Sequence, residues 1–447
     1  MTIQIPNDVN GIISALESAG FEAYVVGGCV RDSLLGRGPK DWDVCTDATP
    51  EQVKSVFANE RVIETGLKHG SVTLLLGDTH YEVTTFRVDG QYSDNRHPDS
   101  VAFVRDIKED LARRDFTCNA IAFNPKTGLV DLFDGARDIE ARLIRCVGDP
   151  RARFAEDSLR ILRALRFAAT YGFAIHEDTA RAMSECRHLL QNVAKERVAD
   201  ELNKLIMGEN IVGLLTEHAD VLFEVLPELA PMHGFDQHNP YHIYDVYTHT
   251  LVSVERADRD LCVRLAMLLH DIAKPQCFTL GDDGVGHFYG HAPVGAAKSA
   301  EILRRLKYAN DTTKAVKELV THHDAVIKVD PRSVKRWLNK LGEERFRQLI
   351  AVRRADIAAH SELALPELAR FDELEKVLGE VLAAGQCFAL KDLAVNGRDL
   401  IDAGLASGKW LGKVLDALLR KVIDDELPNE KQALLDYAAR WVEDTGE

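Results

Sequence analysis

The stretch YVVGGCVRDSLLGRGPKDWDVCT, Tyr24 to Thr46, decides how the chain is read. An apolar run stops at Gly27-Gly28, Arg31 follows, and Asp41 and Asp43 then flank Trp42. AYVVGG reads as a short buried strand ended by glycines, SLLG as a brief helix and DWDVCT as a second strand. Side chains alternate across a strand, so Asp41 and Asp43 are expected on one face, roughly 6–7 Å apart along it. Two carboxylates so placed suit a pair of divalent ions about 3.5–4 Å apart, an arrangement that activates an attacking hydroxyl and stabilises a leaving pyrophosphate. Magnesium is the expected ion, because it takes oxygen ligands and bridges substrate phosphates. The glycines permit close backbone approach to a phosphate, and Arg31 can pair a triphosphate bidentately. A D-x-D pair alone is more often a solvated strand face, and a glycine pair also serves a tight strand–helix turn, so the flanking segments carry the weight.

Before this stretch, residues 8–20 form an expected helix with Ile12, Ile13 and Leu16 on one face. After it, ATPEQVKSVF reads as a helix with Pro50 and Glu51 near its start. SVTLLLG and HYEVTTFRV read as strands bridged by Gly77-Asp78 in a hairpin. Glu82 on the second strand is a third carboxylate, left outside the assigned site. RRDFTCNAIAF sets Arg114 and Asp115 before an apolar segment. EDSLRILRALRF reads as a helix with Glu156-Asp157 at its beginning and Arg160, Arg163 and Arg166 along one side. Either these arginines form a cationic stripe or they pair with acids elsewhere. Asp157 and Arg160 lie one turn apart, an acceptor beside a donor that can read the edge of a base. From Asp149-Pro150 onward the pattern is helical almost to the end, so the expected class is α+β: a mixed head followed by a long all-α body.

At 447 residues the chain is too long for one core, so several domains are expected. No apolar run approaches the roughly 18–20 residues that span a bilayer, and MTIQIPNDVN has neither the basic nor the apolar region of a signal peptide. Eight scattered cysteines without a C-x-x-C point to reduced thiols in a cytoplasmic protein. The net charge of −16 argues against a general nucleic-acid coat but leaves room for local basic surfaces. Arg142–Arg166 and Pro331–Arg354 are two such stretches, each open to reading as a nucleic-acid backbone contact or as a solvated helix face.

VVGGCVRDSLLG…DWDVCTDATP, RRDFTCNAIAF, DLFDG, EDSLRILRALRF and YGFAIHEDT, in that order over about residues 22–185, together resemble the motifs of the class II tRNA nucleotidyltransferase and poly(A) polymerase family. LAVNGRDLI near the C-terminus resembles a segment of its bacterial CCA-adding members. The resemblance implies a polymerase-β-like head in which Asp41 and Asp43 hold magnesium and act in catalysis. It implies that Gly28, Arg31 and Arg114, with Asp115, bind the nucleotide, that Asp157 and Arg160 select C or A without a template, and that Arg163 and Arg166 extend the nucleotide-binding helix. The implied substrates are CTP, ATP and the 3′ end of tRNA. ETGLKHGSVTLLL resembles CCA-adding members rather than poly(A) polymerases, and a full-length VDGQYSDNRHPDSVAFVRD argues against CC-only addition; A-only addition stays open.

The body carries histidines and aspartates on successive expected helices: His249, His270-Asp271, His287, His291, His322-His323 and Asp356. A lone helical histidine is usually a satisfied core or surface group, whereas recurrence on facing helices is how a bundle builds a metal site. Imidazole with carboxylate suits Ni, Mn, Fe or Zn. The pattern resembles the HD phosphohydrolase family over about residues 242–360. That resemblance implies His249, His270, Asp271 and Asp356 as ligands, joined by His291 and one of His322 and His323, with His323 preferred. It further implies metal-dependent phosphohydrolase or 2′,3′-cyclic phosphodiesterase activity, against a remnant that keeps the histidines without activity. Lys274 reads as a phosphate contact or as a helix-end cation. The expected domains are a head (1–150), a helical neck (151–230), an HD domain (231–360) and a helical tail (361–447) that binds tRNA. The alternative of a different class is an HD phosphohydrolase whose head only binds.

Overall fold

The computed structural model describes residues 3–445 except 65, 68, 69, 91–99, 406 and 407. Parts of ETGLKHG and of the loop after Val88, which separate the subfamilies above, therefore lie outside the described residues. The chain forms two compact units, 1–230 with 305–308 and 231–304 with 309–447.

In the first unit the strands of the head are β1 (Ala23–Val26), β2 (Val44–Thr46), β3 (Arg61–Ile63), β4 (Ser71–Leu76), β5 (Thr79–Thr85), β6 (Arg87–Asp89), β7 (Val101–Phe103), β8 (Ile121–Asn124) and β9 (Gly128–Asp131), followed by the short pair β10 (Leu143–Ile144) and β11 (Ala174–Ile175). Seven of them make a sheet in the order β3-β4-β5-β2-β1-β8-β9, while β6 and β7 pair with each other. Within this seven-stranded sheet only β2 and β5 run parallel and the other pairs are antiparallel, so the sheet is mixed. The β4–β5 register ends at Leu76 opposite Thr79, which leaves Gly77-Asp78 as a two-residue hairpin turn.

The expected strand DWDVCT forms only from Val44. β1 and β2 pair Val25 with Val44, and the Asp43 carbonyl still accepts from the Val26 amide at 3.0 Å. Continuing that register would set Asp41 opposite Gly28. Gly27, however, has φ +79° and turns the chain into the helix Gly28–Leu34, so Asp41 has no ladder partner. That helix begins five residues before SLLG, and the first helix spans Asn7–Ser18 with Val9, Ile12, Ile13 and Leu16 buried. Pro50–Val56 starts with a reciprocal cap between Thr49 and Gln52. One face of the sheet is sealed by Val26, Cys45, Phe86, Leu111, Ala120 and Ala122.

EDSLRILRALRF is likewise not one helix. Asp157 is extended (φ −133°, ψ 101°) between helices Pro150–Glu156 and Leu159–Tyr171, and Gly172 closes the second in the left-handed region.

The second unit is built on helices Val246–Arg256, Leu261–Leu269, His291–Arg305, Asn310–His322 and Glu343–Ala358. Asp245 and Asp260 cap the first two by accepting from the Thr248 and Val263 amides at 2.6 and 2.9 Å. Leu251, Val254, Leu265, Leu268, Leu319, Val320, Leu349 and Val352 fill the core between them. Gly295 lets its helix come close to the preceding one, since a Cβ there would lie 3.3 Å from the His270 carbonyl. A separate tail core packs Leu400, Val414, Leu418, Leu434 and Ala438. Among the described residues no helix is long and apolar enough to cross a membrane, and all eight cysteines are unpaired.

Candidate functional site

Two clusters stand out, one in each unit. In the first, Asp41 and Asp43 sit on the lead-in to β2 and are exposed. The parallel β2–β5 register pairs Val44 with Val83, so Glu82 falls beside Asp43 on the neighbouring strand. Asp43's carboxyl is held above its ordinary value, first by partial burial and then by the negative charge of Glu82 and Asp41, with Arg114 opposing. Crowded like charges of this kind fit the demand of a hard divalent cation for oxygen ligands.

Arg114 flanks this edge. Its Nη2 donates to Asp110 Oδ2 at 3.1 Å, and a Cβ on Gly27, where φ +79° already favours glycine, would lie 2.9 Å from its Nη1 and push the guanidinium aside. Asp110, wholly buried, also accepts from Arg113 Nε and Nη2 at 3.0 and 2.7 Å. The sequence reading passed over Asp110, although its spacing of three and four residues from the two arginines was a usable signal.

The other basic groups are already engaged. Arg31 is buried beneath Tyr171, with its Cζ 4.4 Å from that ring's centroid; it donates to Asp32 at 2.9 Å and also to Asn119 and the Tyr171 hydroxyl. Asp115 accepts from the Phe116 amide (2.8 Å), Asn119 (3.0 Å) and both Nε and Nη2 of Arg163 (2.9 and 2.6 Å). Burial opposes its charge, but Arg163 and Asn119 outweigh that and hold its carboxyl well below the usual range. Arg166 Nε lies 2.7 Å from Glu201, and its guanidinium sits over Phe167. The arginine face of the helix is thus paired with acids.

Asp157 and Arg160 do not pair with each other. Asp157 accepts from the Leu159 amide and from Arg197, at 3.1 Å to its Nη2. Arg160 donates to Glu156 at 2.7 Å and to the Arg153 and Arg113 carbonyls. Arg197, which the sequence reading also missed, comes from the helix Lys195–Ile206 and carries no local signal. The basic stretches behave alike: Arg145, Arg151, Arg153, Arg336, Arg345, Arg347 and Arg354 each lie within 3.5 Å of a carboxylate.

The second unit brings His249, His270, Asp271, His291, His323 and Asp356 to one buried place. Lys274 joins them, with Nζ 2.7 Å from Asp271 Oδ2 and donating to Gln237 at 2.8 Å. His270, His291 and His323 each place Nδ1 at 2.7–2.8 Å from the carbonyl three residues back. A carbonyl only accepts, so each Nδ1 carries a hydrogen and Nε2 is the nitrogen that faces inward, free to offer a lone pair to a metal when unprotonated. Asp271 stands between two groups: Oδ2 is 3.1 Å from His270 Nε2 and 3.7 Å from His249, while Oδ1 is 3.6 and 3.7 Å from His291 and His323. His270 Nε2 and Asp271 Oδ1 are buried without a hydrogen-bond partner among the described residues, whereas Asp271 Oδ2 is ion-paired with Lys274.

The Nε2 atoms of His291 and His323 face each other at 3.1 Å. Two lone pairs so placed repel, and a cation about 2.0–2.1 Å from each nitrogen would relieve them. His322 points elsewhere, its ring edge against Trp337. A cavity of about 410 Å³ opens onto the cluster, lined among others by Lys274, His287, Tyr289 and Arg353.

Comparison with known proteins gives a consistent result. A poly A polymerase head domain model matches residues 23–145, an "RNA and SrmB- binding site of polymerase A" model residues 172–232, and a tRNA nucleotidyltransferase domain 2 model residues 291–438. A CCA-adding enzyme of Latilactobacillus sakei subsp. sakei (strain 23K) is 37% identical over 430 residues, covering 96% of each chain. One of Geobacillus kaustophilus (strain HTA426) is 37% identical over 432 residues, covering 95% of this chain and 94% of its own. The solved Bacillus stearothermophilus CCA-adding enzyme in complex with CTP superposes with TM-score 0.73 at 29% identity, over 98% of this chain and 97% of that one. The Thermotoga maritima enzyme complexed with tRNA shares the fold (TM-score 0.63, 21% identity) over 100% of this chain and 97% of that one.

Proposed function

The chain belongs to the family of CCA-adding enzymes, and we infer from this premise that it adds C, C and A to the 3′ end of tRNA, taking CTP and ATP as donors. The observation that carries the reading is the carboxylate edge, where Asp41, Asp43 and Glu82 crowd one end of two paired strands beside Arg114 and the left-handed Gly27. Asp41 and Asp43, with Glu82 adjacent, would hold magnesium, which supplies activation of the 3′ hydroxyl and charge stabilisation of the departing pyrophosphate. Gly28 and the guanidinium of Arg114 would seat the triphosphate. Arg31, stacked and paired, would set the floor of the pocket or exchange Asp32 for phosphate. Asp157 and Arg160 would present an acceptor and a donor to the base edge, with Arg197 and Glu156 holding them when no nucleotide is bound. Arg163 and Arg166 would brace this helix through Asp115 and Glu201. In this scheme residues 1–150 are the head, 151–230 the neck and 361–447 a tRNA-binding tail. A cytoplasmic location goes with the unpaired cysteines.

The test is incorporation of labelled CTP and ATP into tRNA acceptors ending before CCA, at C and at CC. Addition to all three supports CCA addition; addition only to the last identifies an A-adding enzyme, and untemplated runs of A a poly(A) polymerase. Asp41→Ala and Asp43→Ala should each abolish incorporation, and retained incorporation would sink the head mechanism.

A second activity is favoured by the facing Nε2 atoms of His291 and His323 and by Asp271 Oδ1, buried without a hydrogen-bond partner among the described residues. We propose residues 231–360 as an HD-type phosphohydrolase or 2′,3′-cyclic phosphodiesterase domain, with His249, His270, Asp271, His291, His323 and Asp356 holding a transition metal such as Ni, Mn, Fe or Zn. His270→Ala and Asp271→Ala should remove metal-stimulated hydrolysis of a 2′,3′-cyclic nucleotide and leave CTP incorporation intact; unchanged hydrolysis would dismiss the domain's activity.

A further inference from the structure

Two histidines of the second unit remain outside every role assigned so far. His242 lies just before the helix Val246–Arg256, and His360 lies just past the helix Glu343–Ala358. Their rings meet edge to face with centroids 4.4 Å apart, and the His360 ring stacks on His249 at 5.1 Å. One nitrogen from each of His242, His249 and His360 lies within 4.8 Å of the others. His242 Nδ1 is buried without a hydrogen-bond partner among the described residues. Buried polar atoms are nearly always paired, so an orphaned ring nitrogen needs an explanation.

A core histidine pair is the plain alternative. It would leave His242 Nδ1 unsatisfied, next to a ring, His360, whose Nε2 shares one carboxylate oxygen with two other imidazoles. Asp356 Oδ1 is 3.1 Å from His249 Nε2, 3.8 Å from His270 Nε2 and 3.5 Å from His360 Nε2. His249 falls in two groups, with His242 and His360 and with His270 and Asp271, its Nε2 lying 3.7 Å from Asp271 Oδ2; the H…HD…D reading assigns it to the second. An imidazole nitrogen serves one ion, so the donors left for another are His242, His360 and a shared Asp356.

We propose that the second unit holds a third divalent cation, between His242 and His360 with Asp356 as the bridging carboxylate. The first two positions are those on either side of Asp271, and the third rests on the reading of this cluster as a metal site. The three positions form a row, with Asp271 joining the first pair as Asp356 joins the second. Two imidazoles and one carboxylate leave coordination open, and His242 and His360 line the same cavity as Lys274 and Arg353. The ligand that fits is a phosphate ester, whose free oxygen completes the third ion's shell while the two cationic side chains neutralise the rest.

The experiment uses the full chain, stripped with chelator, reloaded with excess nickel and desalted. Metal content is then measured by mass spectrometry for the wild type, for His242→Gln with His360→Gln, and for His323→Gln. The proposal expects the His242/His360 variant to lose one equivalent relative to wild type, as the His323 variant loses one from the first position. Equal uptake by wild type and the His242/His360 variant overturns it. Because a core substitution can perturb folding, wild-type crystals carrying nickel give an independent reading by anomalous scattering at the nickel edge. A peak between His242 and His360 supports the third position. Peaks only beside Asp271 overturn it and spare the two-ion reading, whereas no peak anywhere in the cluster overturns both.

Discussion

Replacing Asp115 by Asn changes one atom of a buried node and tests how the helix Leu159–Tyr171 is braced. The carboxylate receives four hydrogen bonds, two of them from Arg163. An amide can still accept from Phe116 and Asn119, but its NH2 would then meet the Arg163 donors. Breaking a buried ion pair by removing one partner costs about 3–5 kcal/mol. The Arg163 side chain is 32% exposed and has Glu201 at 3.9 Å as a second acceptor, which lowers the cost. We therefore expect about 2–3 kcal/mol, allowing for solvent screening at the arginine. The assay is hydrogen exchange of peptides from Leu159–Tyr171, where that loss accelerates exchange by about 30- to 150-fold. A double-mutant cycle with Arg163→Met isolates the pair. The effect also has a pH signature. The native carboxyl is held below its unfolded value, so its contribution is complete above a pH of about 4 and disappears as pH falls further. The gap between wild type and variant should be flat from neutral pH down to about 5 and shrink below about 4. A coupling under about 0.5 kcal/mol, or a gap that widens in acid, would refute the bracing role.

Two further outcomes follow from single residues. Glu82→Gln removes a negative charge beside Asp43, so the acid limb of the pH–rate profile for CTP incorporation should move to lower pH; an unmoved limb would mean that Glu82 does not act on Asp43. Asn396→Ala removes a reciprocal cap with Asp399, in which the amides of Arg398 and Asp399 donate to Asn396 and that of Asn396 to Asp399, and should destabilise the tail by about 1 kcal/mol in hydrogen exchange of residues 397–402, with incorporation by the isolated head chemistry judged separately.

Local chemistry made much of the head legible. Gly27-Gly28 marked the end of β1, and Gly77-Asp78 marked the hairpin, because turns that need positive φ advertise themselves in sequence. The alternation of Asp41 and Asp43 was visible, but the strand behind them was overextended, since only the β1 register shows that Asp41 has nothing to pair with. The same kind of limit applies to EDSLRILRALRF. Its arginine spacing was plain, yet the partners that decide its behaviour, Asp115, Glu201 and Arg197, arrive from elements 40 or more residues away in sequence in two of the three cases. Opposite charges brought together by the fold turned a suspected cationic stripe into a paired surface. LAVNGRDLI shows the converse: a segment matched by resemblance has a plain physical role, with Asn396 capping its helix and Gly397 making room for Leu411, whose Cδ2 would lie 2.6 Å from a Cβ there.

In the body, recurrence of histidine on successive helices was enough to foresee a cluster, because helices that pack around one core must turn their buried polar residues toward each other. Recurrence could not say which nitrogen faces inward. That is settled by the backbone carbonyl three residues before His270, His291 and His323, which takes the Nδ1 hydrogen in each case and so turns Nε2 toward Asp271. His242 and His360 escaped notice for a related reason. Neither stands in an H…HD…D spacing, one precedes its helix and the other follows its helix, and only the meeting of those two helix ends beside Asp356 joins them to the site. Burial first, with Lys274 and His249 adding to it for His242, pushes that imidazole down to about 2. Burial likewise lowers His360 to about 4 despite Asp356. Both rings are therefore neutral at physiological pH, and a neutral imidazole offers a lone pair where a charged one would offer only a proton. On donor chemistry alone, the carboxylates on the strand edge of the head suit a hard ion, whereas the imidazoles in the helical cluster suit a softer one.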